Sequence, residues 1–438
     1  LTTRRGVEQI AVMPDGAATA HLLRPKLITV LREGYSLGAF RRDLAAAATV
    51  AVVALPLSMA IGVASGVSPD KGLITAIFGG FVVSALSGSR FQVGGPAGAF
   101  IVLVAAAVAQ LGLGGVLVAV FVSGVMLALL GVLRIGGLVR HIPHAVTIGF
   151  TCAIAVTILA SQLKDLGGLT LSAAEPGPVI PKLLALAGAA RSFNPIAFAL
   201  GVGTVAMIFL MRRIAPLWPG MLMAVVLGAL VALGLHLPVE TIAARFGGVP
   251  AGLPRPTLPG LSGEMILRSL PTALSFTLLG AVESLLSAKV ADSMTSRKHR
   301  SNMELIGQGV ANLVSACFGG ICVTGTIART ATNIRAGATS PISGMLHSIF
   351  LLIFITFAAP LASYVPLASL AGVLVAVAWT MAEKQEFVRL LRAWPTASVL
   401  LATFGFTLVK DLTTGIIAGC ALAALLAWLH RPTPEEGV

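Results

Sequence analysis

Apolar stretches long enough to cross a bilayer recur along almost the whole chain, and this feature decides what it can fold into. A helix spanning the hydrocarbon core needs about 20 mostly apolar residues. Of 438 residues, 56% are hydrophobic and 11% charged, less than half of the roughly 25% charge that soluble domains carry. A cytosolic enzyme, a secreted disulfide scaffold and a nucleic-acid-binding module are excluded. The chain reads as an all-α polytopic membrane protein. Cys152, Cys317, Cys322 and Cys420 all fall in apolar stretches, where free Cys packs as a small buried hydrophobe. No His or Cys spacing suits a metal, and no cofactor is expected. Residues 1–42 hold no apolar h-region, so no signal peptide is expected.

About fourteen apolar segments can be read from the pattern. The first seven are 44–66, 71–87, 96–110, 113–133, 143–161, 194–212 and 217–235; the second seven are 270–289, 303–318, 325–337, 340–359, 366–380, 395–409 and 412–429. With the N-terminus inside, 21 of the 30 Lys and Arg residues fall in cytoplasmic loops and tails and 8 outside. That bias supports the count, places both termini in the cytoplasm and assigns the net charge of +13 to loops rather than to a nucleic-acid surface. A cytoplasmic N-terminal region, 1–43, precedes a transmembrane domain, 44–430, and a short tail, 431–438, follows. The longest polar connection, 236–269, is rich in Pro and Gly and divides seven spans from seven. An odd number per half makes repeat two (264–430) run opposite to repeat one (44–236), the layout of inverted-repeat transporters. The other long loop, 162–193, is expected to be a surface linker or an amphipathic helix.

Transporters of that kind bind at short, Gly/Pro-interrupted helices in matching positions of the two halves. The third span opens with Gly94-Gly95-Pro96-Ala97-Gly98-Ala99-Phe100, and the tenth with Thr324-Gly325-Thr326-Ile327-Ala328-Arg329. Pro96 and Gly325 lie 229 residues apart, and Asp43 and Pro271 lie 228 apart, the near-equal offset that a duplication leaves. A helix starting inside the membrane exposes unpaired N–H groups and the positive end of its dipole, so two such ends make an anion site without a side chain. Pro96 suits a first helical turn. The same Gly and Pro residues also serve tight helix packing. Glu283 and Arg329 lie inside spans, where ionisable residues are costly and mark function. Arg329 is placed to add attraction for an anion, and Glu283 to carry a proton or pair with a cation; alternatively the two form an ion pair linking spans eight and ten. Asp292, Glu304, Glu383 and Glu386 are expected to be solvated at loops or helix ends. His347 reads as a packing residue, and Glu33 as a weak candidate for a gate.

At these residues the sequence resembles the SulP family of anion transporters, the sulfate permeases and their animal anion-exchanger relatives. The resemblance runs through Val290-Ala291-Asp292 and on from His299 to Gly309. It continues through Asn312, Phe318-Gly319-Gly320 and TGTIARTATNIRAGATSPISG at 324–344, with DLAAAATVAVVALPLSMAIGVASG at 43–66 and VGGPAGAF at 93–100. It covers roughly residues 40–430. It implies a fourteen-helix, seven-plus-seven inverted repeat with a core domain (spans 1–4 and 8–11) that moves as an elevator against a gate domain (spans 5–7 and 12–14). Ala97, Gly98 and Ala99 resemble the span-three part of the anion site, and Gly325, Thr326 and Ile327 the span-ten part, with Pro96 and Thr324 adjoining. Glu283 and Ser287 resemble the coupling positions of span eight, which form the cation site in a sodium-coupled bicarbonate branch. Arg329 resembles the basic residue near the anion in some relatives. The family commonly forms dimers, which makes a homodimer the implied assembly. It also usually carries a C-terminal cytoplasmic STAS domain, expected here to be either removed or absent after RPTPEEGV.

Two departures shape the expected function. Leu57 follows Pro56 where many sulfate-type members carry Gln, and residue 283 is Glu rather than Asp. Together they favour proton-coupled uptake of a dicarboxylate of the fumarate or succinate type across the cell membrane, with sodium-coupled bicarbonate or sulfate transport as the alternative. An anion channel and a nucleobase permease remain competing readings. An enzyme is not expected: the GxSG-like run Gly260–Gly263 lies in a Pro-rich loop, and no HExxH occurs.

Overall fold

Of the 438 residues, the computed structural model describes 23–137, 143–172, 175–176, 178–215, 218–250, 252, 254–410 and 412–429. The expectations for the first residues of the N-terminal region and for the tail 431–438 fall outside these. Repeat one contains α1 (Lys26–Glu33), α2 (Leu37–Ala64) and α3 (Pro69–Ile74), with a π turn (Thr75–Gly79) running into α4 (Gly80–Leu86). Strand β1 (Gly94–Gly95) and a 3-10 turn (Gly98–Phe100) lead to α5 (Ile101–Val132). Then come α6 (His144–Leu166), α7 (Val179–Gly188), α8 (Pro195–Ile214), α9 (Gly220–Gly234) and α10 (Ile242–Phe246). Repeat two contains α11 (Gly263–Met294), α12 (Ser301–Cys317), strand β2 (Thr324–Gly325), α13 (Ile327–Arg335) and α14 (Ile342–Phe357). It ends with α15 (Ala359–Ala362), α16 (Leu367–Met381), α17 (Lys384–Leu390), α18 (Trp394–Val409) and α19 (Leu412–Leu429).

Each of the fourteen expected segments falls on helix. Seven helical stretches are long and apolar enough by themselves to cross a membrane: Leu37–Ala64, Pro69–Leu86, Gly98–Val132, His144–Leu166, Pro195–Ile214, Gly263–Met294 and Leu367–Leu390. Spans three and four do not separate as two helices with a loop. They run on as α5, broken at Gly112, whose φ of 67° and ψ of 175° are open only to glycine at little cost. Span one starts earlier than its apolar run, because Ser36 accepts a hydrogen bond from Ala39 N and caps the helix seven residues upstream of Leu44. Asn194 does the same for α8, accepting from Ile196 N and Ala197 N ahead of Pro195. The two long loops hold the short helices α7 and α10, and Thr241 bridges to Pro366. Cys152 and Cys322 are buried as expected, whereas Cys317 and Cys420 are only partly so, because their helices turn those faces outward.

Packing divides the helices into two groups. In one, α5 lies along α11 and α12, α14 lies against α2 and α4, and α13 touches α2 and α11. In the other, α6 packs on α16 and α18, α18 on α19, and α8 on α9 and α16. The two groups meet mainly where α2 touches α16 and α9. Within the first group, α5 and α12 cross at glycines. A Cβ on Gly309 would sit 2.5 Å from both Ala128 N and Gly124 O, and one on Gly124 would sit 2.8 Å from Gly309 O. In lipid this close approach replaces the hydrophobic drive that holds helices together in water.

One buried carboxylate ties the two halves at their ends. Asp43, on α2, is fully buried. Its Oδ1 accepts from Thr339 N (2.6 Å), Thr339 Oγ1 (3.1 Å) and Ser340 N (3.3 Å), and its Oδ2 from Ser340 Oγ (2.5 Å) and Tyr35 OH (2.7 Å). It therefore holds the turn that launches α14. Hydrogen bonds to a charged group contribute about 1.5–3 kcal/mol each, and deleting an acceptor leaves buried donors unsatisfied. Asp43→Ala is expected to lower stability by about 3 kcal/mol or more, read as a fall in the melting temperature of the purified protein in detergent. Asp43→Asn, which keeps one acceptor oxygen, should recover part of the loss.

Candidate functional site

The site forms where the chain stops being helical in mid-fold. Residues 87–97 and 318–326 are extended or turning, so their backbone N–H and C=O groups need partners away from water. They find some of them in each other: β1 and β2 pair antiparallel, Gly94 with Gly325 and Gly95 with Thr324. Gly95 and Thr324 are themselves 229 residues apart, the same offset as Pro96 and Gly325, and they are partners in space. Thr326 N adds a bond to Val93 O at 3.3 Å. From this crossing one chain enters the 3-10 turn and α5, and the other enters α13. The preceding residues, Ala97 and Thr326, are extended (φ −115° and −112°), and neither gives a side-chain cap. Both helices thus begin at one crossing without a side-chain cap. Pro96 differs from its expected place: it lies in the extended link, one residue before Ala97, because the helical geometry begins only at Gly98.

Glycine at the crossing makes room for polar side chains. A Cβ on Gly95 would lie 1.5 Å from Arg329 Nη1, and one on Gly325 would lie 1.5 Å from Gln92 Nε2. Arg329 is 1% exposed. Its Nη1 donates to Gly94 O (3.2 Å), and its Nη2 to Pro96 O (3.1 Å) and Ser58 Oγ (3.1 Å). Its Nε is buried without a partner. No ion pair with Glu283 forms among the described residues. The guanidinium therefore braces the β1 link through neutral acceptors and keeps its full positive charge beside two positive helix ends.

The remaining sequence candidates arrange themselves around this brace. Ala97 and Ala99 are buried, while Gly98 is half-buried and would bring a Cβ within 3.3 Å of Ile158 Cδ1 on α6 and 4.0 Å of Met381 Sδ on α16. Thr324 is buried, and the hydroxyls of Thr324 and Thr326 have no partner among the described residues. Ile327, the first residue of α13, is 38% exposed, so that helix start is reachable. Helix α11 packs on β2 and α13. There Ser287 Oγ donates to Thr330 Oγ1 (3.2 Å), which accepts from Val93 N (3.3 Å). Glu283, 8% exposed, makes no hydrogen bond or ion pair among the described residues, and it sits one turn before Ser287.

Several residues that the sequence reading passed over complete the site. Gln92 Nε2 donates to Ser284 O (3.1 Å) and Ser284 Oγ (3.0 Å). Ser284 Oγ lies within reach of Glu304 Oε1 (3.1 Å) and Gln308 Oε1 (3.2 Å), and Gln308 Oε1 also accepts from Gly325 N (3.2 Å). Gln308 Nε2 and Asn312 Nδ2 both donate to Val323 O, and Asn312 Oδ1 accepts from Val323 N. Glu304 is accordingly fully buried, not solvated as expected, because α12 turns this face of its first turn onto α11. A signal was available: Glu304, Gln308 and Asn312 recur every four residues, a polar stripe along one face of the helix. The other acids lie elsewhere, Glu33 on Arg90, Asp292 on His299, and Glu386 on His144 and Arg389. His347 is fully buried on α14.

With this geometry in hand, the relatives can be compared. YvdB of Bacillus subtilis (strain 168), which carries a provisional sulfate-transporter name, is 40% identical over 394 residues, 89% of this chain and 74% of its own length. The bicarbonate transporter BicA of Picosynechococcus sp. (strain ATCC 27264 / PCC 7002 / PR-6) is 32% identical over 397 residues, 88% of this chain and 70% of that one. The solved transmembrane domain of a cyanobacterial BicA superposes with a TM-score of 0.78 at 31% identity, covering 87% of this chain and 98% of that one. SLC26A9 shares the fold at 17% identity, with a TM-score of 0.84 over 93% of this chain and 68% of that one. The sequence model of the sulfate permease family matches residues 40–403, which include both broken segments and the whole polar stripe of α12. The chain belongs to the sulfate permease family.

Proposed function

We propose that this protein is a secondary active transporter that carries a small oxyanion across the cell membrane, bound between the starts of α5 and α13. The observation that carries this reading is the β1–β2 crossing, which brings two uncapped helix N-termini together next to a buried arginine with no acidic partner. Helix dipoles and aligned amides favour negative charge, and low-dielectric surroundings strengthen that preference. Because the donors are mainly backbone amides, sulfate, bicarbonate and one carboxylate of a dicarboxylate all fit the same chemistry. The relatives named for sulfate and bicarbonate place those two ahead of the fumarate or succinate type suggested by Leu57 and Glu283. The two packing groups support a core that moves against a gate, with Ile158 and Met381 on the gate side of Gly98.

Glu283 is the proposed coupling residue. A carboxylate that is almost wholly buried and unpartnered next to an anion site is best accommodated when it carries a proton or holds a cation, since an isolated buried charge is costly. Ser287, one turn on, is fixed to Thr330 and would relay a change at Glu283 to α13.

Three measurements test this. Proteoliposomes containing the protein should accumulate radiolabelled sulfate, bicarbonate or fumarate when an inward proton or sodium gradient is imposed. Uptake should saturate, and currents too large for a one-at-a-time cycle would refute the reading. In Glu283→Gln, exchange should persist while accumulation no longer follows the gradient. Arg329→Lys should raise KM for the anion about tenfold, equivalent to about 1.4 kcal/mol, because an ammonium cannot hold Gly94 O, Pro96 O and Ser58 Oγ as a planar fork does.

A further inference from the structure

We propose that the protein has a second oxyanion site, for a phosphate group, formed by Arg24, Lys26, Arg90 and Arg300 where α1 docks on the fold. Three chain segments close on one another there. Lys26 N donates to Ser87 O (3.1 Å), Arg300 N donates to Gly88 O (3.0 Å), and Arg300 Nη1 donates to Arg24 O (2.8 Å) and Thr29 Oγ1 (3.0 Å). A Cβ on Gly88 would lie 2.0 Å from Arg300 O, so the contact is tight. Lys26 and Arg90 are each 8% exposed and Arg300 is 4% exposed. Four cations are thus gathered at one junction, and among the described residues only Glu33 pairs directly with one of them: both of its oxygens receive Arg90 Nη2 at 2.6 Å.

Donors remain unused. The Nε groups of Arg24, Arg90 and Arg300 are buried without a partner, and the Lys26 ammonium makes no hydrogen bond or ion pair among the described residues. Asp292, which also faces the junction, is engaged by His299 through its backbone N–H and its Nδ1. Burial, followed by repulsion from Arg300 and Arg90, lowers the Lys26 pKa to about 8 against the weaker pull of Asp292 and Glu33. Arg300 shifts the same way through burial, Arg24 and Arg90. Uncompensated like charges of this kind oppose docking unless an anion joins them. Four cations against the two carboxylates Glu33 and Asp292 leave two positive charges. A phosphate monoester or dianion matches them better than a monoanion, and guanidinium forks fit its oxygens in pairs.

The site is separate from the β1–β2 crossing, and its existence does not depend on the transport reading. By the distribution of basic residues it lies on the cytoplasmic face, where the phosphate can come from a soluble phosphate compound or from the headgroup of an anionic lipid. The same loop continues through Gln92 to β1, so occupancy would stiffen the approach to the transport site.

The test uses the full chain in non-ionic detergent, with inorganic phosphate and pyrophosphate as soluble probes. A second arm uses vesicles of phosphatidylcholine with and without phosphatidic acid. Binding of at least one probe should raise the melting temperature of the wild type. The double variant Arg24→Gln/Lys26→Gln, half of which lies at the accessible rim, should lose affinity at least tenfold, while Arg329→Lys at the transport site should not. Affinity should fall between about pH 7 and 9 as Lys26 loses its proton, although phosphate itself gains charge over that range; the double variant should lack the fall. Stabilisation by phosphate or pyrophosphate identifies a soluble ligand, and stabilisation by phosphatidic acid alone identifies a lipid. Equal binding by wild type and double variant, or no effect of any probe, would overturn the proposal.

Discussion

Inside a bilayer no water is available to complete a broken helix, so every interruption of backbone hydrogen bonding must be answered by another part of the protein. Here the two interruptions answer each other. Gly94-Gly95 and Thr324-Gly325 form a two-residue ladder, and Thr326 and Val93 extend it by one further bond. The arrangement of α2, α11, α12 and α14 around that ladder follows from it. Helices α2, α11 and α12 each contribute a hydroxyl or amide that satisfies or positions the neighbouring strands, as Ser58, Ser284, Ser287, Gln308 and Asn312 do.

The polar groups here hold shape as much as they bind. Arg329 spends its terminal nitrogens on backbone carbonyls and a serine, and Gln92 spends its amide on Ser284. Both lie over glycines whose missing side chains make the space. This explains how a charge can reside at this depth without a counter-ion: its desolvation is partly offset by three neutral acceptors. A network of this kind fixes the geometry of the amides while leaving the guanidinium without a carboxylate partner among the described residues.

Much of this was legible in the amino-acid sequence, for identifiable reasons. Broken spans three and ten announce themselves by Gly and Pro within apolar runs, and the shared offset pairs them. Span boundaries were less legible, because caps such as Ser36 and Asn194 carry helices into polar sequence that hydropathy discards. The break at Gly112 looked like a loop, since one glycine at positive φ redirects a helix without any polar residue. Glu304 was misplaced because position near a helix end suggests solvent, whereas burial depends on which neighbour covers that face. Tertiary partners such as Gln92 with Ser284 cannot be read from spacing at all. The comparisons establish the family, and the pairing of the two broken segments explains why its motifs fall where they do.

The duplication also preserved an inequality. Ser58 and Ser287 stand 229 residues apart, and both steady α13, but the position that mirrors Arg329 is Phe100, which meets Phe276 edge to face. One helix start is flanked by a cation and the other by an aromatic ring. A molecule assembled from two first halves would have no guanidinium at its centre, and one assembled from two second halves would oppose two of them in hydrocarbon. The halves have ceased to be interchangeable: their backbones pair at the crossing, while the side chains that follow it differ.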